Sequence, residues 1–287
     1  MAPGIDLHVH STHSDGTYTT KELVQYAKNI NLLAIALTDH DTVKGNHEMR
    51  KLCMEESIDF VSGIELSTQY HFSSSTQEVH LLGLFVDETN PVFHSYEEEF
   101  AKSRDMRNQQ IVEKLNDHGF SITMNELQKA YPNSVLTRAH IGRYLFDTKQ
   151  VPSINHAFKQ YLGDNACCYV DRKKIETREA ISLVHEAGGL AIIAHPPLYN
   201  LKAKALDSMI CDLKNHGLNG IEAVYSTYHN NEEHDMKALA KKYQLLISGG
   251  SDFHGSNKPY IHLGKGRGNL YVPYEIYENL SKIHSHS

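Results

Sequence analysis

Short apolar runs alternate with amphipathic stretches along most of this chain. Runs that are hydrophobic throughout predict strands covered on both faces. Seven of them lie at residues 5–10, 32–39, 59–66, 78–86, 189–195, 220–225 and 244–252. Helical spacing of apolar residues recurs between them, as at residues 19–30, 176–189 and 232–243. Strand and helix in alternation predict an α/β fold with a parallel sheet, and seven repeats favour a TIM-like barrel over an open α/β sheet.

Two segments break the alternation. A polar, serine-rich connection too short for a helix joins the third and fourth runs, which predicts an antiparallel hairpin at that point. Between about residues 96 and 165 no strand pattern occurs, and four helical patterns closed by glycine or proline follow one another. We therefore expect a barrel in two parts, residues 1–95 and 166–287, with a small helical domain at 96–165 inserted between strands four and five.

The charge distribution makes the middle of the chain relatively basic. The net charge is -7, which argues against a surface built to coat long duplex nucleic acid. Residues 97–176 hold 12 basic and 11 acidic side chains, whereas the rest of the chain holds 16 and 24. We expect an anionic ligand to bind near this segment.

Compartment and membrane association follow from the cysteines and the apolar runs. The four cysteines form no C-x-x-C pair, and Cys167 and Cys168 are adjacent, so we interpret them as reduced thiols of a cytoplasmic protein. The first residues lack the basic and apolar regions of a signal peptide, and no run reaches the roughly 18 apolar residues of a membrane span. We expect a protein without a membrane partner.

Histidine and carboxylate side chains gather at the ends of the predicted strands. His8 and His10 share one face of the first strand, because side chains alternate with a period of two. His80 begins the fourth strand and reaches the same rim only through the predicted hairpin. The full set is His8, His10, Asp15, His40, Glu65, His80, His195, Asp252 and His254.

The size and chemistry of this set predict a metal centre. A single strand-end histidine or aspartate is usually a cap or a turn former, but burying nine such groups is costly unless they pair or bind metal. Nitrogen and oxygen ligands without thiolate suit Zn, Mn or Fe. Nine residues exceed the ligands of one catalytic metal, so we expect two or three divalent ions.

The motifs HVHSTHSDG, TDHD, GIE, EVH, AHP and GSDFHG, in this order, resemble the PHP (polymerase and histidinol phosphatase) family of metal-dependent phosphoesterases. The resemblance covers almost the whole chain. It is strongest to stand-alone bacterial members with a helical insertion that hydrolyse nucleotide phosphomonoesters, including nucleoside 3',5'-bisphosphates. It implies a distorted (β/α)7 barrel with a trinuclear metal centre and hydrolysis by a hydroxide that bridges two metals.

The resemblance also implies a role for individual residues. His8, His10 and Asp252 would hold one metal. Glu65 would bridge it to a second metal held by His80 and His195. Asp15, His40 and His254 would hold the third. Residues implied for phosphate or substrate binding are Arg138, His140, Tyr228 and His229, and the implied catalytic groups beside the metals are His254, Arg138 and His229.

Three classes of function remain open from sequence. The leading one is a phosphatase acting on a small nucleotide, with a histidinol-phosphate-type phosphatase as a variant. The second is a 5' to 3' exonuclease acting on short RNA or DNA oligonucleotides. The third is a non-catalytic metal-dependent binding module, for which a full ligand set would be unnecessary. The base, the sugar, the position of the cleaved phosphate and the oligomeric state are not determined by these motifs.

Other polar residues carry weaker expectations. Arg104 and Arg107, three apart on a predicted helix, could face a bound anion, but a solvated helix face is the favoured interpretation. Asp39 and Asp41 are candidates for orienting His40, with a turn-forming role as the alternative for Asp41. His13 is not expected to be a ligand. The basic segment at 171–174 could help to attract polyanions, with a solvated loop as an equal alternative. His284 and His286 are expected to belong to a frayed tail.

Overall fold

The computed structural model describes residues 4–132, 134–172 and 174–286. Its sheet follows the path β1-β2-β3-β4-β6-β7-β8, with β5 paired to β3. The strands are β1 (Ile5–Asp6), β2 (Ala34–Leu37), β3 (Asp59–His71), β4 (Thr76–Leu84), β5 (Ile175–Glu176), β6 (Leu190–Ile193), β7 (Gly220–Tyr225) and β8 (Leu246–Gly250). The seven predicted strands are confirmed, and β5 is an additional short strand.

Helices cover the sheet and fill the long interval between β4 and β5. They are α1 (Thr20–Asn29), α2 (Asn46–Glu55), α3 (Pro91–Asp117), α4 (Met124–Ala130), α5 (Arg138–Asp147), α6 (Ile154–Ala157), α7 (Thr177–Glu186), α8 (Ala203–Asn215), α9 (Glu232–Lys242) and α10 (Tyr274–His284). A π-helical turn at Phe158–Leu162 follows α6. Local signals explain several starts; at α1, for example, Thr19 and Glu22 form a capping box.

The hairpin predicted between the third and fourth strands is confirmed. β3 and β4 pair antiparallel, with Ser67 opposite His80, and β4 pairs antiparallel with β6 as well. The other pairs along the path are parallel. Because β4 runs against its neighbours, its first half lies at the rim where the parallel strands end, and this orientation brings His80 to that rim.

Backbone hydrogen bonds between the first and last strands nearly close the sheet into a barrel. β1 pairs with β2 only through Ile5 and Asp6, so the regular strand is shorter than the predicted 5–10. Beyond it, the Leu7 amide donates to the Gly249 carbonyl at 3.1 Å, and the Asp252 amide donates to the His8 carbonyl at 2.8 Å. The chain through His8 is therefore held against the end of β8, as closure of a barrel requires.

The helices α3 to α6 join the barrel to a second hydrophobic cluster. Phe93 and Phe100, in the first half of α3, belong to the barrel core, whereas Ile111 and Leu115, in its second half, pack in a separate cluster with Leu127. The helical region thus has apolar contacts of its own while α3 anchors it to the barrel. α3 begins at Pro91, and the boundaries 96 and 165 stay a prediction.

The carboxyl-terminal region is more ordered than the sequence suggested. His284 is the last residue of α10, and its ring stacks on Phe85 with centroids 5.1 Å apart. The expectation of a frayed tail is wrong for His284, because the amphipathic helix before it packs Leu280 into the core. No helix within residues 4–132, 134–172 and 174–286 combines the length and the apolar character that a membrane span requires.

Candidate metal centre and anion cleft

The carboxylate of Glu65 lies at the centre of a cluster of buried imidazoles at the barrel rim. Its Oε2 atom lies 3.2 Å from His8 Nε2, 3.1 Å from His10 Nε2 and 3.2 Å from His40 Nδ1. Its Oε1 atom lies 2.8 Å from His80 Nδ1 and 3.1 Å from His195 Nε2. Five imidazoles from four separate segments therefore meet at one carboxylate, which lies on β3.

Two further carboxylates flank this cluster. Asp252 Oδ1 lies 3.3 Å from His10 Nε2 and 3.2 Å from His254 Nδ1. Asp15 Oδ1 lies 3.2 Å from His254 Nε2 and 3.9 Å from His40 Nε2. All nine residues of the predicted set are thus brought together.

Ligand atoms close enough to share an ion form three overlapping groups. These are His8, His10, Glu65 and Asp252; His40, Glu65 and His80; and His10, Asp15, His40 and His254. The overlap means that Glu65, His10 and His40 each belong to two groups. His195 lies next to the second group through its contact with Glu65.

Unpartnered polar atoms show that the cluster suits bound cations. His8 Nε2, His10 Nε2, His40 Nδ1 and Asp15 Oδ1 are buried and have no hydrogen-bond partner among the described residues. Buried polar atoms are normally hydrogen-bonded, so such a concentration points to ligands that the protein alone does not supply. Ligand atoms at 2.0–2.2 Å from a metal lie roughly 3.0–3.4 Å apart, which matches the spacing around Glu65 Oε2. The residues present therefore fit a metal centre.

Glu222, a buried carboxylate that sequence reasoning missed, contacts two of the histidines on the side away from Glu65. Glu222 Oε1 lies 2.9 Å from His8 Nδ1, and Glu222 Oε2 accepts a hydrogen bond from the His195 amide at 2.8 Å. Glu222 is completely buried. The available signal was a single glutamate inside the apolar run GIEAVY of β7, where an acidic residue needs a buried partner.

Asp252 is oriented by two side chains on its outer oxygen. Tyr225 and Lys258 each donate a hydrogen bond to Asp252 Oδ2 at 2.6 Å. Burial and the neighbouring carboxylates of Asp252 and Glu222 raise the pKa of Tyr225, so its phenol keeps its proton. The donors leave Asp252 Oδ1 directed at the imidazoles.

Asp39 has a different role from the expected one. Its carboxylate accepts hydrogen bonds from the Ser11 amide at 2.8 Å, from the Ser11 hydroxyl at 2.6 Å and from the Ser14 hydroxyl at 2.5 Å. It holds the loop that follows His10, and its side-chain hydrogen bonds within the described part of the chain go to Ser11 and Ser14 and not to His40. The expectation that Asp39 orients His40 is wrong, because the folded loop brings two hydroxyls to that carboxylate. As expected, His13 belongs to none of the groups found among the described residues.

An open cleft of about 630 Å³ adjoins the metal-binding cluster. Asp15, His40 and His80 line it on the barrel side. Five cationic side chains line it as well: Arg104, Arg107, Arg138, Arg172 and Lys174. These five cations outnumber the three carboxylates of the lining, Asp15, Glu78 and Asp171, so the cleft suits an anion that also approaches the metals.

Arg104 and Arg107 are buried, so the expectation of a solvated helix face is wrong. They are 4% and 7% exposed, and they continue the buried stripe of α3 that begins with Phe93 and includes Ile111. Asp41 pairs with Arg104 and, at 2.9 Å, with Arg172. Of the two roles left open for Asp41, the turn agrees with its φ of 55°, whereas its carboxylate pairs with arginines and does not orient His40. Arg172 is buried in the cleft lining, which agrees with attraction of an anion and not with a solvated loop. The physical reason is that α3 packs its inward face over the barrel rim.

Arg107 is the arginine of the cleft whose charge is least compensated. Its Nε atom is buried without a hydrogen-bond partner among the described residues. Burial, reinforced by the neighbouring charges of Arg172 and Arg138, lowers the pKa of Arg107 to about 9. An anion placed here would relieve both the missing hydrogen bond and the repulsion between the guanidinium groups.

The predicted substrate-binding residues differ in their position. Arg138 lines the cleft, and its Nη1 atom donates to Asp164 at 2.9 Å. His140 is buried, and its Nδ1 atom accepts a hydrogen bond from the Thr137 amide at 3.0 Å. Tyr228 is buried, and its hydroxyl donates to the Glu222 carbonyl. The side chain of His229 is 71% exposed beside Glu232. Of these four predicted residues, the lining of the cleft includes Arg138.

Comparison with known proteins gives consistent matches. The family model described as the PHP domain matches residues 6–176. A 5'-3' exoribonuclease of Haemophilus influenzae is 35% identical over 92% of this chain and 94% of its own. A 3',5'-nucleoside bisphosphate phosphatase of Chromobacterium violaceum is 29% identical over 87% of both chains. A crystal structure assigned as a metal-dependent phosphoesterase, from Bifidobacterium adolescentis, superimposes with a TM-score of 0.84 and 27% identity, covering 98% of this chain and 96% of its own.

Proposed function

This chain belongs to the PHP domain family, and from that premise we propose that it is a metal-dependent phosphoesterase acting on a small nucleotide. The proposed reaction converts a nucleoside 3',5'-bisphosphate to a nucleoside 5'-monophosphate and phosphate. One observation carries the proposal: the cluster around Glu65 opens into a cleft lined by five cationic side chains. A substrate with two phosphate groups offers matching charge at both places.

The residues around Glu65 are proposed to hold two or three divalent ions, Mn, Fe or Zn. His8, His10 and Asp252 would hold one ion, and Glu65 would bridge it to a second ion at His80 and His195. Asp15, His40 and His254 would hold the third. Bound ions of this kind lower the pKa of water and offset negative charge on a phosphoryl group.

The cationic side chains are proposed to bind and orient the substrate. Phosphoryl transfer depends chiefly on positioning and on electrostatic stabilisation of the phosphoryl oxygens. Arg107 has an unpartnered buried Nε atom and Arg172 an unpartnered buried Nη1 atom, so both have donors for phosphate oxygens. Holding the second phosphate there would keep the scissile ester next to the Glu65 cluster and exclude water from around the charged groups.

Arg138 is proposed to act on the phosphoryl oxygens, and the leaving oxygen is proposed to take its proton from metal-bound water or from a histidine at the rim, His254 or His229. Arg138 lies in the cleft lining, which supports a role in contacting phosphate. His254 lies between Asp15 and Asp252, where a ligand role is favoured over proton donation. His229 lies at an exposed position, so its catalytic role stays a prediction.

A second candidate function is 5' to 3' exonuclease activity on short oligonucleotides. The relative from Haemophilus influenzae, a 5'-3' exoribonuclease, favours it. A 5'-phosphorylated RNA end and a nucleoside 3',5'-bisphosphate share a 5'-phosphate and a phosphate ester at the 3' oxygen. The same cleft therefore suits both, and they differ in whether a further nucleotide follows the scissile phosphate.

Product analysis with purified, Mn-loaded protein tests both functions. The substrates are adenosine 3',5'-bisphosphate, AMP, histidinol phosphate and an oligoribonucleotide with either a 5'-phosphate or a 5'-hydroxyl. We expect rapid release of phosphate from the bisphosphate, with AMP as the other product, and loss of turnover in Glu65→Gln. Release of mononucleotides from the 5'-phosphorylated oligonucleotide, at a higher kcat/KM, would favour the exonuclease. No turnover of any substrate, with metals bound, would contradict the proposal.

A further inference from the structure

A buried carboxylate behind two arginines of the anion cleft has a role that the metal centre does not explain. We propose that Asp41 is a positioning residue that makes the cleft selective for substrates with a second phosphate, because it fixes Arg104 and Arg172 at a set distance from the metal centre. The inference rests on the proposed function.

The backbone of Asp41 is tied to the centre of the metal cluster. Its amide donates to the carbonyl of Glu65 at 2.9 Å, and its φ of 55° is in the left-handed region. This turn directs the side chain away from the metal-binding residues toward the insertion. Aspartate adopts this conformation more readily than most residues other than glycine and asparagine, so the turn suits the residue found at this position.

The carboxylate of Asp41 is fully engaged. Its Oδ1 atom accepts hydrogen bonds from the Ser67 amide and the Tyr96 hydroxyl, both at 2.8 Å. Its Oδ2 atom accepts from Arg104 and, at 2.9 Å, from Arg172. The two arginines come from α3 and from the segment before β5, so one carboxylate joins three parts of the fold.

Electrostatics explains why these arginines need a common anion. Arg104, Arg107 and Arg172 crowd one cleft, and their mutual repulsion in a partly buried site is substantial. Asp41 offsets part of that charge and sets the orientation of two guanidinium groups. The remaining donors of Arg172, including its unpartnered Nη1, are then held ready for an anion.

The consequence is a fixed spacing between two phosphate positions. The chain from the Glu65 carbonyl through Asp41 to Arg172 contains only two hydrogen bonds. The distance between a phosphate bound at the metals and a second phosphate bound at the arginines is therefore fixed by the protein. A substrate with a single phosphate gains nothing from this spacing.

The variant Asp41→Asn tests the inference by steady-state kinetics. Asparagine tolerates the left-handed conformation, and its carbonyl can keep the bonds from Ser67 and Tyr96, but its NH2 group faces the guanidinium groups. We expect the KM for adenosine 3',5'-bisphosphate to rise about tenfold or more, with kcat within threefold of wild type. For adenosine 3'-monophosphate, which lacks the second phosphate, we expect KM to change less than twofold.

Two control variants separate positioning from a general structural role. Tyr96→Phe removes another hydrogen bond from the same carboxylate but leaves its charge, and it should keep the wild-type ratio of the two KM values. In the Arg104→Ala/Arg172→Ala background, Asp41→Asn should have no further effect on KM. An equal loss of activity on both substrates, or a further tenfold rise in KM in that background, would overturn the inference. If Asp41→Asn does not fold, Asp41→Gly serves, since glycine suits the positive φ.

A binding measurement distinguishes failure of the inference from failure of the proposed function. Calorimetry on metal-loaded protein with a methylenephosphonate analogue of adenosine 3',5'-bisphosphate, in which carbon replaces the 3' ester oxygen, needs no turnover. We expect the Kd to rise about tenfold in Asp41→Asn. If wild-type protein hydrolyses nothing yet shows this difference in Kd, the proposed function fails and the inference stands. If wild-type protein hydrolyses the bisphosphate and Asp41→Asn binds it with unchanged Kd, the inference fails alone.

Discussion

The imidazole Nδ1 atom of His8 lies 2.9 Å from a carboxylate oxygen of Glu222, although 214 residues separate the two in the sequence. A carboxylate that accepts from Nδ1 fixes the tautomer of a histidine and leaves Nε2 free to bind metal. His8 Nε2 points toward Glu65 at 3.2 Å and lacks a hydrogen-bond partner. Glu222 is thus a supporting residue of the proposed metal centre.

Replacing Glu222 by glutamine should weaken metal binding. The variant keeps the shape of the side chain but loses the charge that favours His8 as a ligand and one of the two acceptor oxygens, which serve His8 Nδ1 and the His195 amide. We expect the affinity for Mn or Zn to fall about 10-fold to 100-fold, measured by competition with a chromophoric chelator. Glu233→Gln, on the exposed face of α9, is the matched control and should bind metal as wild type does. Equal affinity in the two variants would contradict the supporting role.

Removing metal should destabilise the protein as well as inactivate it. Asp15, Glu65 and Asp252 are buried within one cluster, and a cation that binds only the folded state raises the free energy of unfolding by about 2.7 kcal/mol at a hundred times its Kd. We expect the Tm to fall after chelation and to recover when Mn is added back. Glu65→Gln should show little of this shift. A wild-type Tm that is insensitive to chelation and to added metal would show that the cluster is not a metal centre.

Arg107→Ala should raise KM for phosphorylated substrates by about tenfold or more, because a charged hydrogen bond contributes roughly 1.5–3 kcal/mol. Arg138→Ala should raise it less, since Asp164 already pairs with that guanidinium. Steady-state kinetics with adenosine 3',5'-bisphosphate measures both. Lys102→Ala lies on the exposed face of the same helix as Arg107 and should leave KM unchanged. A KM for Arg107→Ala equal to that of Lys102→Ala would remove Arg107 from the binding site.

The stability of α5 should depend on pH through His140. Burial lowers the pKa of His140, outweighing the attraction of Asp15 for the protonated ring. The neutral ring accepts a hydrogen bond from the Thr137 amide as part of a capping box. The unfolded chain therefore binds the proton more readily, and the free energy of unfolding should fall as pH drops below about 6.5. Glutamine is a standard capping-box residue at this position and does not titrate. Urea unfolding of chelated protein measures this. Between pH 7.5 and pH 5.5 the free energy of unfolding should fall less in His140→Gln than in wild type. An equal fall in both proteins would contradict this assignment.

Local patterns predicted much of the fold because they depend on near neighbours. Alternation placed His8 and His10 on one face of the chain, and both rings do face Glu65. The short connection after β3 could only form a hairpin, which placed His80 at the correct rim. The length of β1 was overestimated, because its apolar pattern continues while its hydrogen-bond partner changes from β2 to the end of β8.

The misjudged arginines show where such patterns fail. Arg104 and Arg107 continue the spacing of Phe93, Tyr96 and Phe100, so their place in the buried stripe of α3 was available from sequence. Charge alone argued for solvent, since arginine is seldom buried without a partner. The partner of Arg104 is Asp41, 63 residues away, and no local pattern joins the two.

By itself, the sequence determined the strand and helix alternation, the helical interval after β4 and the nine residues of the candidate metal cluster. These features depend on side-chain periodicity and on motifs at strand ends, which are local properties of the chain. Only the tertiary structure decided which carboxylates support or neutralise which cations: Glu222 for His8, and Asp41 for Arg104 and Arg172. Such pairs form because closing the barrel and folding α3 over its rim bring distant segments together. A buried charge is stable there only when a group of opposite charge pairs with it.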